Sequence, residues 1–195
     1  MYLSEISRKP DCKTILYLID DTKIDDIQFN ADIVYLKIED WNSELSPWPI
    51  DKFPGQADKT IEQLKDIINE CEAGYQYEKR YIVGYSLAGL FGWYAYSKID
   101  CFDGVVSCSA SLWYPNFKEY IVNSNLKQGK FYISLGDKEA LTKNKLMQPV
   151  QQVTQWLYDY LKEQSEIIFV LNPGGHFNQP LQRIEKGIEW ILRKD

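Results

Sequence analysis

A single serine lies between a strand pattern and a helix pattern in residues 81–96, YIVGYSLAGLFGWYAY. The apolar run that ends at Gly84 predicts a strand, and the residues from Leu87 onward predict a helix, which leaves Ser86 on a tight turn. Such a turn lifts the hydroxyl above the carboxyl end of the sheet, where the Leu87 N–H can donate to an oxyanion. The pattern indicates a nucleophile for acyl transfer, although a serine that caps the helix is the structural alternative.

A serine hydroxyl needs a base, and the chain contains one histidine, His176. It lies in the glycine-rich segment 172–177, NPGGHF, just after the last predicted strand. The glycines allow positive φ and a close backbone approach, so the ring can turn towards a neighbouring strand end. We predict that His176 is the general base for Ser86.

A carboxylate that orients the imidazole is expected after the preceding strand, in Gly136-Asp137-Lys138-Glu139. Both acids leave the sheet on the side where Ser86 and His176 leave it. We favour Glu139, because a position three residues past the glycine gives the turn room to point inward. Asp137 stays the alternative, and a solvated turn is the structural explanation of the same segment. The order serine, acid, histidine is that of α/β-hydrolases.

These residues need a sheet to position them, and short apolar runs alternate with helical patterns along the chain. The predicted strands are residues 14–19, 33–38, 80–84, 104–109, 130–135 and 166–171. Apolar stripes with a 3.6-residue period predict helices around residues 61–71, 150–161 and 184–192. The alternation predicts a mostly parallel α/β sheet with helices on both faces. Residues 41–55, rich in proline and tryptophan, are predicted to form an ordered loop.

Composition limits the classes of function. The 195 residues predict a single domain, residues 1–195, and the net charge of −6 without basic runs argues against nucleic acid and anionic membranes. No apolar run approaches the ~18 residues of a spanning helix, and no secretory signal is recognisable. The four cysteines form no CxxC pair and no metal-ligand spacing, so we predict reduced cysteines, no metal site and a cytoplasmic protein.

Four motifs occur in one order along the chain. They are GYSLAGLF at 84–91, SASLWY at 109–114, LGDKE at 135–139 and PGGH at 173–176. They resemble the Gly-His-Ser-x-Gly-Gly-Leu-Phe, Ser-x-Ser-Leu-Trp, Leu-Gly-x-x-Glu and histidine-loop motifs of α/β-hydrolase-fold esterases. From about residue 14 to the C-terminus, the chain resembles the group that includes esterase D and enterochelin-esterase-like proteins.

The resemblance implies a compact α/β-hydrolase fold of about six strands without a large cap domain. It also implies a serine esterase that cleaves a small-molecule ester through an acyl-enzyme, without a cofactor. Ala88 stands where the group has a glycine, and Tyr85 where it commonly has histidine. The first strand runs into an acidic segment rather than a glycine-rich loop. We therefore expect Leu87 and the backbone N–H of Asp21 or Thr22 as oxyanion donors.

Aromatic residues on loops after the strands are expected to bind substrate, and Phe177 joins them. The predicted substrate-binding residues are Trp41, Trp48, Tyr85, Trp113 and Tyr114. An aromatic-walled cleft suits an aryl, acyl or sugar ester, while packing of loops against the body is the alternative for each residue. A thioesterase, an acyltransferase and a non-catalytic hydrolase-fold binding protein stay open as alternative functions, and a homodimer stays open as an assembly.

Overall fold

Seven strands form one sheet in the structure, a computed structural model that describes residues 1–19 and 23–193. The strands are β1 (Tyr2–Ser7), β2 (Thr14–Ile19), β3 (Asp32–Lys37), β4 (Lys79–Tyr85), β5 (Gly104–Cys108), β6 (Lys130–Gly136) and β7 (Glu166–Asn172). Their order in space is β1-β3-β2-β4-β5-β6-β7. All neighbours are parallel except β1 and β3. The predicted parallel sheet is confirmed, and the bounds of its predicted strands differ from the observed ones by at most one residue at each end.

Helices cover both faces of the sheet. They are α1 (Trp41–Glu44), α2 (Ala57–Glu72), α3 (Leu87–Lys98), α4 (Phe117–Asn123), α5 (Val150–Leu161) and α6 (Pro180–Ile191). The apolar residues of α2, α3, α4 and α5 form one buried cluster with the sheet, and those of α6 form a second cluster on the opposite face. In the part of the chain that the structure describes, no helix has the length and apolar character needed to cross a membrane.

The central strands are apolar on successive residues because both of their faces are covered. In β2, every residue from Ile15 to Ile19 is fully buried. Ile15 and Tyr17 belong to the cluster on the α2–α5 side, whereas Leu16 and Leu18 belong to the cluster on the α6 side. The two clusters pack against opposite faces of the sheet, which makes the sheet a rigid base for the loops that follow the strands.

Two segments differ from the sequence prediction. The sheet has seven strands rather than about six, because β1 pairs antiparallel with the edge strand β3. Its sequence, YLSEIS, is mostly exposed or half-buried, with an irregularity between Leu3 and Glu5, so no continuous apolar run marks it. Within 41–55, the expected loop begins with the short helix α1, whose N-terminus is capped by the Asp40 side chain accepting from Ser43 N.

Four neighbouring parallel strands end side by side. Tyr85 of β4 pairs with Cys108 of β5, which pairs with Ser134 of β6, and Gly136 of β6 pairs with Asn172 of β7. We call this end of the sheet the carboxyl edge and the opposite end the amino edge. The register brings the segments that carry the predicted serine, acids and histidine to the carboxyl edge, where open α/β sheets bind ligands.

Candidate active site

The turn between β4 and α3 holds Ser86 in a strained backbone conformation, with φ 57° and ψ −122°. A side chain in this region is costly, and it persists because the surroundings fix it. The Ser86 N–H donates to the Cys108 carbonyl, and the Ser86 carbonyl accepts from Ser111 N–H, both at 3.0 Å. A Cβ at Gly84 would lie 2.4 Å from the Ala88 carbonyl, so the crossing of strand and helix requires glycine there.

The side chains of Ser86, His176 and Glu139 form a continuous hydrogen-bonded line. The Ser86 Oγ lies 3.0 Å from His176 Nε2, and His176 Nδ1 lies 2.8 Å from Glu139 Oε2. The imidazole is 30% exposed, whereas the carboxylate is 4% exposed. With Nδ1 protonated and donating to the carboxylate, Nε2 is free to accept the serine proton, which is the arrangement that nucleophilic acyl transfer requires.

Glu139 lies in the short 3₁₀ turn Glu139–Leu141 after β6, and both of its carboxylate oxygens accept hydrogen bonds. Its Oε1 accepts from Gly136 N–H at 2.6 Å, the Ser109 hydroxyl at 2.8 Å and Arg183 Nη1 at 2.9 Å. Burial by itself raises the pKa of Glu139, but hydrogen bonds from His176, Gly136 and Ser109 outweigh it and lower that pKa below its ordinary value. The carboxylate is therefore ionised at neutral pH.

Asp137, the alternative acid, contacts the backbone of residues 173–179, which we call the histidine segment, instead of the imidazole. Its Oδ1 accepts from Gly174 N–H at 2.8 Å, and its own N–H donates to the Asn172 carbonyl at 2.8 Å. The side chain is exposed at the surface. Asp137 thus joins the β6 and β7 loops, and the structure places Glu139 at the ring.

Leu87 is the first residue of α3 and lines the cavity beside Ser86. Its N–H lies at the positive end of a twelve-residue helix, where orphan backbone donors favour a negative charge. The second expected donor, at Asp21 or Thr22, lies outside the described residues.

A cavity of about 440 Å³ opens beside Ser86 and His176 at the carboxyl edge. Its wall is mainly apolar and aromatic and draws on several loops and on α1 and α5. The residues other than Ser86, His176 and Glu139 that line it are Trp41, Asn42, Phe53, Leu87, Ser109, Ala110, Ser111, Trp113, Thr142, Met147, Val150 and Phe177. Trp41 and Trp113, both expected at the substrate, therefore lie at the cavity, and Phe177 is 88% exposed beside it.

The other expected substrate-binding aromatics lie outside the cavity wall. Trp48 Nε1 donates to the Pro115 carbonyl, and the Tyr114 hydroxyl donates to the Trp48 carbonyl, so these two side chains fix one loop against another. Tyr85 is buried in the cluster on the α6 side, and its hydroxyl donates to the His176 carbonyl at 2.5 Å. These three side chains do not line the cavity, and their hydroxyl or indole groups instead donate hydrogen bonds to backbone carbonyls.

Two polar residues of the site were not singled out from the sequence. Ser109 follows β5 with φ 45°, and Arg183 is a 2% exposed side chain on α6. Both contact Glu139. The signal for Arg183 is its place in the inward stripe of α6 beside Ile184 and Ile188, where a solvated arginine would not be expected.

The cysteines and acids show no second chemical site in residues 1–19 and 23–193. All four cysteines are free, and burial raises the pKa of Cys108 to about 12, so its thiol stays neutral. Within the same residues, no group of three or more His, Cys, Asp or Glu side chains is arranged to hold a metal ion.

No protein-family model and no curated protein matches the chain, but many solved structures do. An IroE-like serine hydrolase from Shewanella oneidensis superposes with a TM-score of 0.76 at 13% identity, covering 94% of this chain and 72% of that one. The siderophore hydrolase EstA from Aspergillus nidulans gives 0.62 at 16% identity, with 92% and 82% covered. A Pyrococcus furiosus esterase gives 0.55 at 12% identity, with 93% and 82% covered. The chain therefore has the α/β-hydrolase fold that its motifs predicted.

Proposed function

We propose that the protein is a serine hydrolase that cleaves carboxylic esters of small molecules through an acyl-enzyme on Ser86. The observation that carries the proposal is the hydrogen-bonded line from Ser86 Oγ through His176 to Glu139, at 3.0 and 2.8 Å, beside an apolar cavity. Solved structures of the same fold that are named as esterases and serine hydrolases support the same reaction class.

The proposed reaction uses these groups in turn. As Ser86 Oγ bonds to the ester carbonyl carbon, its proton passes to His176 Nε2, and the Glu139 carboxylate stabilises the imidazolium. The tetrahedral oxyanion lies at the Leu87 N–H. Its collapse breaks the bond to the leaving alcohol, which takes the proton from His176. Water then gives a proton to His176 and attacks the acyl carbon, and the carboxylic acid leaves as Ser86 is reprotonated.

The cavity favours an uncharged, apolar or aromatic group next to the scissile ester. Of the described residues that line it, none is lysine or arginine. A carboxylate or phosphate inside the cavity would therefore lose its hydration without gaining a cationic partner. Trp41, Phe53, Trp113 and Phe177 instead offer flat apolar surfaces, which gain free energy by covering an acyl chain or an aryl ring.

The test is hydrolysis of p-nitrophenyl esters with acyl chains of increasing length, together with labelling by a fluorophosphonate that reacts with activated serines. We expect turnover and labelling in the wild type, and loss of both in Ser86→Ala. Removal of such a nucleophile lowers kcat by on the order of 10⁶-fold. Ser97→Ala is the matched control, because Ser97 lies near the far end of α3, the helix that follows Ser86, and its hydroxyl donates to the Tyr94 carbonyl.

The two readouts separate the alternatives. Wild-type turnover in Ser86→Ala would contradict the mechanism. Labelling without hydrolysis of any ester in the series supports an active serine with a narrower substrate, and the matching thioesters then test the thioesterase alternative. A wild-type protein that is neither labelled nor active would contradict the proposal and favour a non-catalytic binding protein.

A further inference from the structure

Arg183 lies almost fully buried on α6, with a relative exposure of 2%. Its Nη1 donates to the Ser109 hydroxyl at 2.7 Å, to Glu139 Oε1 at 2.9 Å and to the Tyr85 hydroxyl at 3.3 Å. Ser109 directly follows β5, Glu139 lies in the turn after β6, and Tyr85 is the last residue of β4. One nitrogen thus joins three segments of the carboxyl edge.

The second terminal nitrogen of the same guanidinium reaches the histidine segment. Nη2 donates to the Gly175 carbonyl at 3.0 Å, and the Pro173 carbonyl lies at 3.4 Å. The Tyr85 hydroxyl that contacts Nη1 donates in turn to the His176 carbonyl. The backbone on both sides of the imidazole is therefore tied to Arg183, directly or through one hydroxyl.

The position of the charge matters as much as the contacts. Arg183 engages Oε1 of Glu139, which leaves Oε2 as the oxygen that faces His176 Nδ1. Glu139 is 4% exposed, so the two charges interact with little screening by water. A fixed cation next to the carboxylate partly cancels the attraction that the carboxylate exerts on an imidazolium.

We propose that Arg183 is a positioning residue for the reaction: it orients Glu139 and the histidine segment, and its charge opposes protonation of His176. The proposal rests on the proposed function of Ser86 and His176. An arginine suits both tasks, because its planar fork can serve several acceptors at fixed angles while it stays charged.

Other titratable groups around the site do not supply the same charge. Burial raises the pKa of Tyr85 from β4 and of Cys108 from β5, so both stay neutral, and the Cys108 thiol donates to the Arg183 carbonyl. Asp137 and Lys138 follow β6 as exposed residues, where water and salt screen their charges. Within the described residues, the buried charges beside the imidazole are thus Glu139 and Arg183.

The test uses the histidine as its own reporter, because a chain with one histidine gives one set of imidazole NMR signals. We would follow those signals against pH in wild type, Arg183→Met, Arg183→Lys and Glu139→Gln. We expect the titration midpoint to move to higher pH in Arg183→Met, to lower pH in Glu139→Gln, and to stay near the wild-type midpoint in Arg183→Lys.

Steady-state kinetics distinguish the effect of the Arg183 charge from the effect of its hydrogen-bond geometry. We expect kcat of Arg183→Met to fall about 100-fold, the size of loss that misplaced catalytic groups cause, and the acidic limb of kcat/KM to move to higher pH. Arg183→Lys keeps the charge but loses the fork, so its kcat should fall less and its acidic limb should not move.

Arg80→Met is the matched control, because Arg80 is paired with Glu72 near the amino edge, away from the site. It should lower the melting temperature without moving the histidine titration. If Arg183→Met does not fold, Ser109→Ala removes a hydroxyl that contacts both Arg183 and Glu139. It should move the midpoint in the same direction by a smaller amount.

An Arg183→Met protein that melts at lower temperature but keeps the wild-type midpoint and kcat would overturn the proposal, because Arg183 would then only stabilise the fold. So would an unchanged midpoint in Ser109→Ala when Arg183→Met does not fold. Failure of the proposed function is a separate result: it is read from fluorophosphonate labelling of the wild type, whereas the NMR titration needs no turnover.

Discussion

Both ends of the parallel sheet carry an arginine–carboxylate pair with a tyrosine beside it, but the two carboxylates differ in the partners that their oxygens bind. Near the amino edge, Arg80 donates to both carboxylate oxygens of Glu72, with distances of 2.6 to 2.9 Å, and the Tyr17 hydroxyl adds a bond of 2.9 Å. All of these partners come from the sheet and α2. This pair joins α2 to the sheet.

At the carboxyl edge, the arginine binds only one oxygen of its carboxylate partner, and the other oxygen binds the histidine. Glu139 Oε1 accepts from three donors, among them Arg183, whereas Oε2 accepts from His176, whose other nitrogen faces Ser86 at the cavity. The comparison teaches that an arginine and a carboxylate do not by themselves indicate a site. What distinguishes the site is an unequal use of the two oxygens.

Positive-φ residues occur at both edges, but the residue types differ. At the amino edge they are Gly74 at 83°, Asp11 at 52° and Asn125 at 45°, and glycine, aspartate and asparagine adopt positive φ more readily than other residues. At the carboxyl edge, Ser86 and Ser109 take φ 57° and 45°, which costs such a residue about 1–3 kcal/mol.

The largest expected effect separates the two carboxylates. Glu139→Gln should lower kcat for ester hydrolysis by about 10⁴-fold, as amidation of a triad acid does, because Nδ1 loses its anionic partner. Glu72→Gln should leave kcat unchanged and lower the free energy of unfolding by roughly 2 kcal/mol, since Arg80 loses charged hydrogen bonds.

Steady-state kinetics and urea unfolding of the two variants measure this contrast. Equal losses of kcat in both would break the comparison, because the pair near the amino edge would then act on the site. A kcat loss in Glu139→Gln that follows its loss of folded protein would assign both pairs to stability.

A smaller effect is expected from substituting one exposed aromatic residue at each end of the sheet. Phe177 is 88% exposed beside the cavity and packs edge-on against His176, whereas Tyr75 is 50% exposed and stacks on Tyr77. Phe177→Ala should raise KM about tenfold for long acyl chains, the equivalent of about 1.4 kcal/mol of lost contact. It should affect acetyl esters less, and Tyr75→Ala should change neither KM.

The chain-length series provides the readout for both variants. A uniform rise of KM across all acyl chains in Phe177→Ala would show that the ring acts on the histidine segment rather than on the acyl chain.

The smallest effect concerns stability in acid. Because the pKa of Glu139 is lowered in the folded protein, its ionisation contributes stability above the ordinary value of 4.5. That contribution is lost as the pH falls through the folded value. The free energy of unfolding of the wild type should therefore decrease more steeply below pH 4.5 than that of Glu139→Gln. Parallel urea curves from pH 6 to 3 test this, and identical slopes would contradict it.

The central parallel strands were predictable because they are buried on both faces and are therefore apolar on successive residues, as in Thr14–Ile19. The edge strand Tyr2–Ser7 was not, since its pairing with β3 depends on a distant partner rather than on its own composition. The turn chemistry around Ser86 and His176 was also local, so the position of both residues at the carboxyl edge could be predicted from the sequence.

The direction in which a side chain points could not be predicted from the local sequence. Asp137 and Glu139 follow the same strand, and the 3₁₀ turn that points one to the ring and the other to Gly174 depends on contacts with the β7 loop. Trp48 could not be distinguished from Trp113, because a packed indole and a cavity wall have the same sequence signature. Arg183 was missed because helical arginines are usually solvated.

Helix α3, which begins directly after Ser86, is buried from Leu87 to Tyr96, leaving only its last two residues partly or fully exposed. Its backbone amides should therefore exchange with deuterium only when the entire protein unfolds. The histidine segment is exposed or half-buried between 173 and 179, and its amides should exchange through local opening. The serine is thus anchored in the slowest-exchanging part of the molecule and its base in a fast-exchanging part. Sequence changes that tune substrate choice should accumulate in the histidine segment, where they do not disturb the turn that holds Ser86.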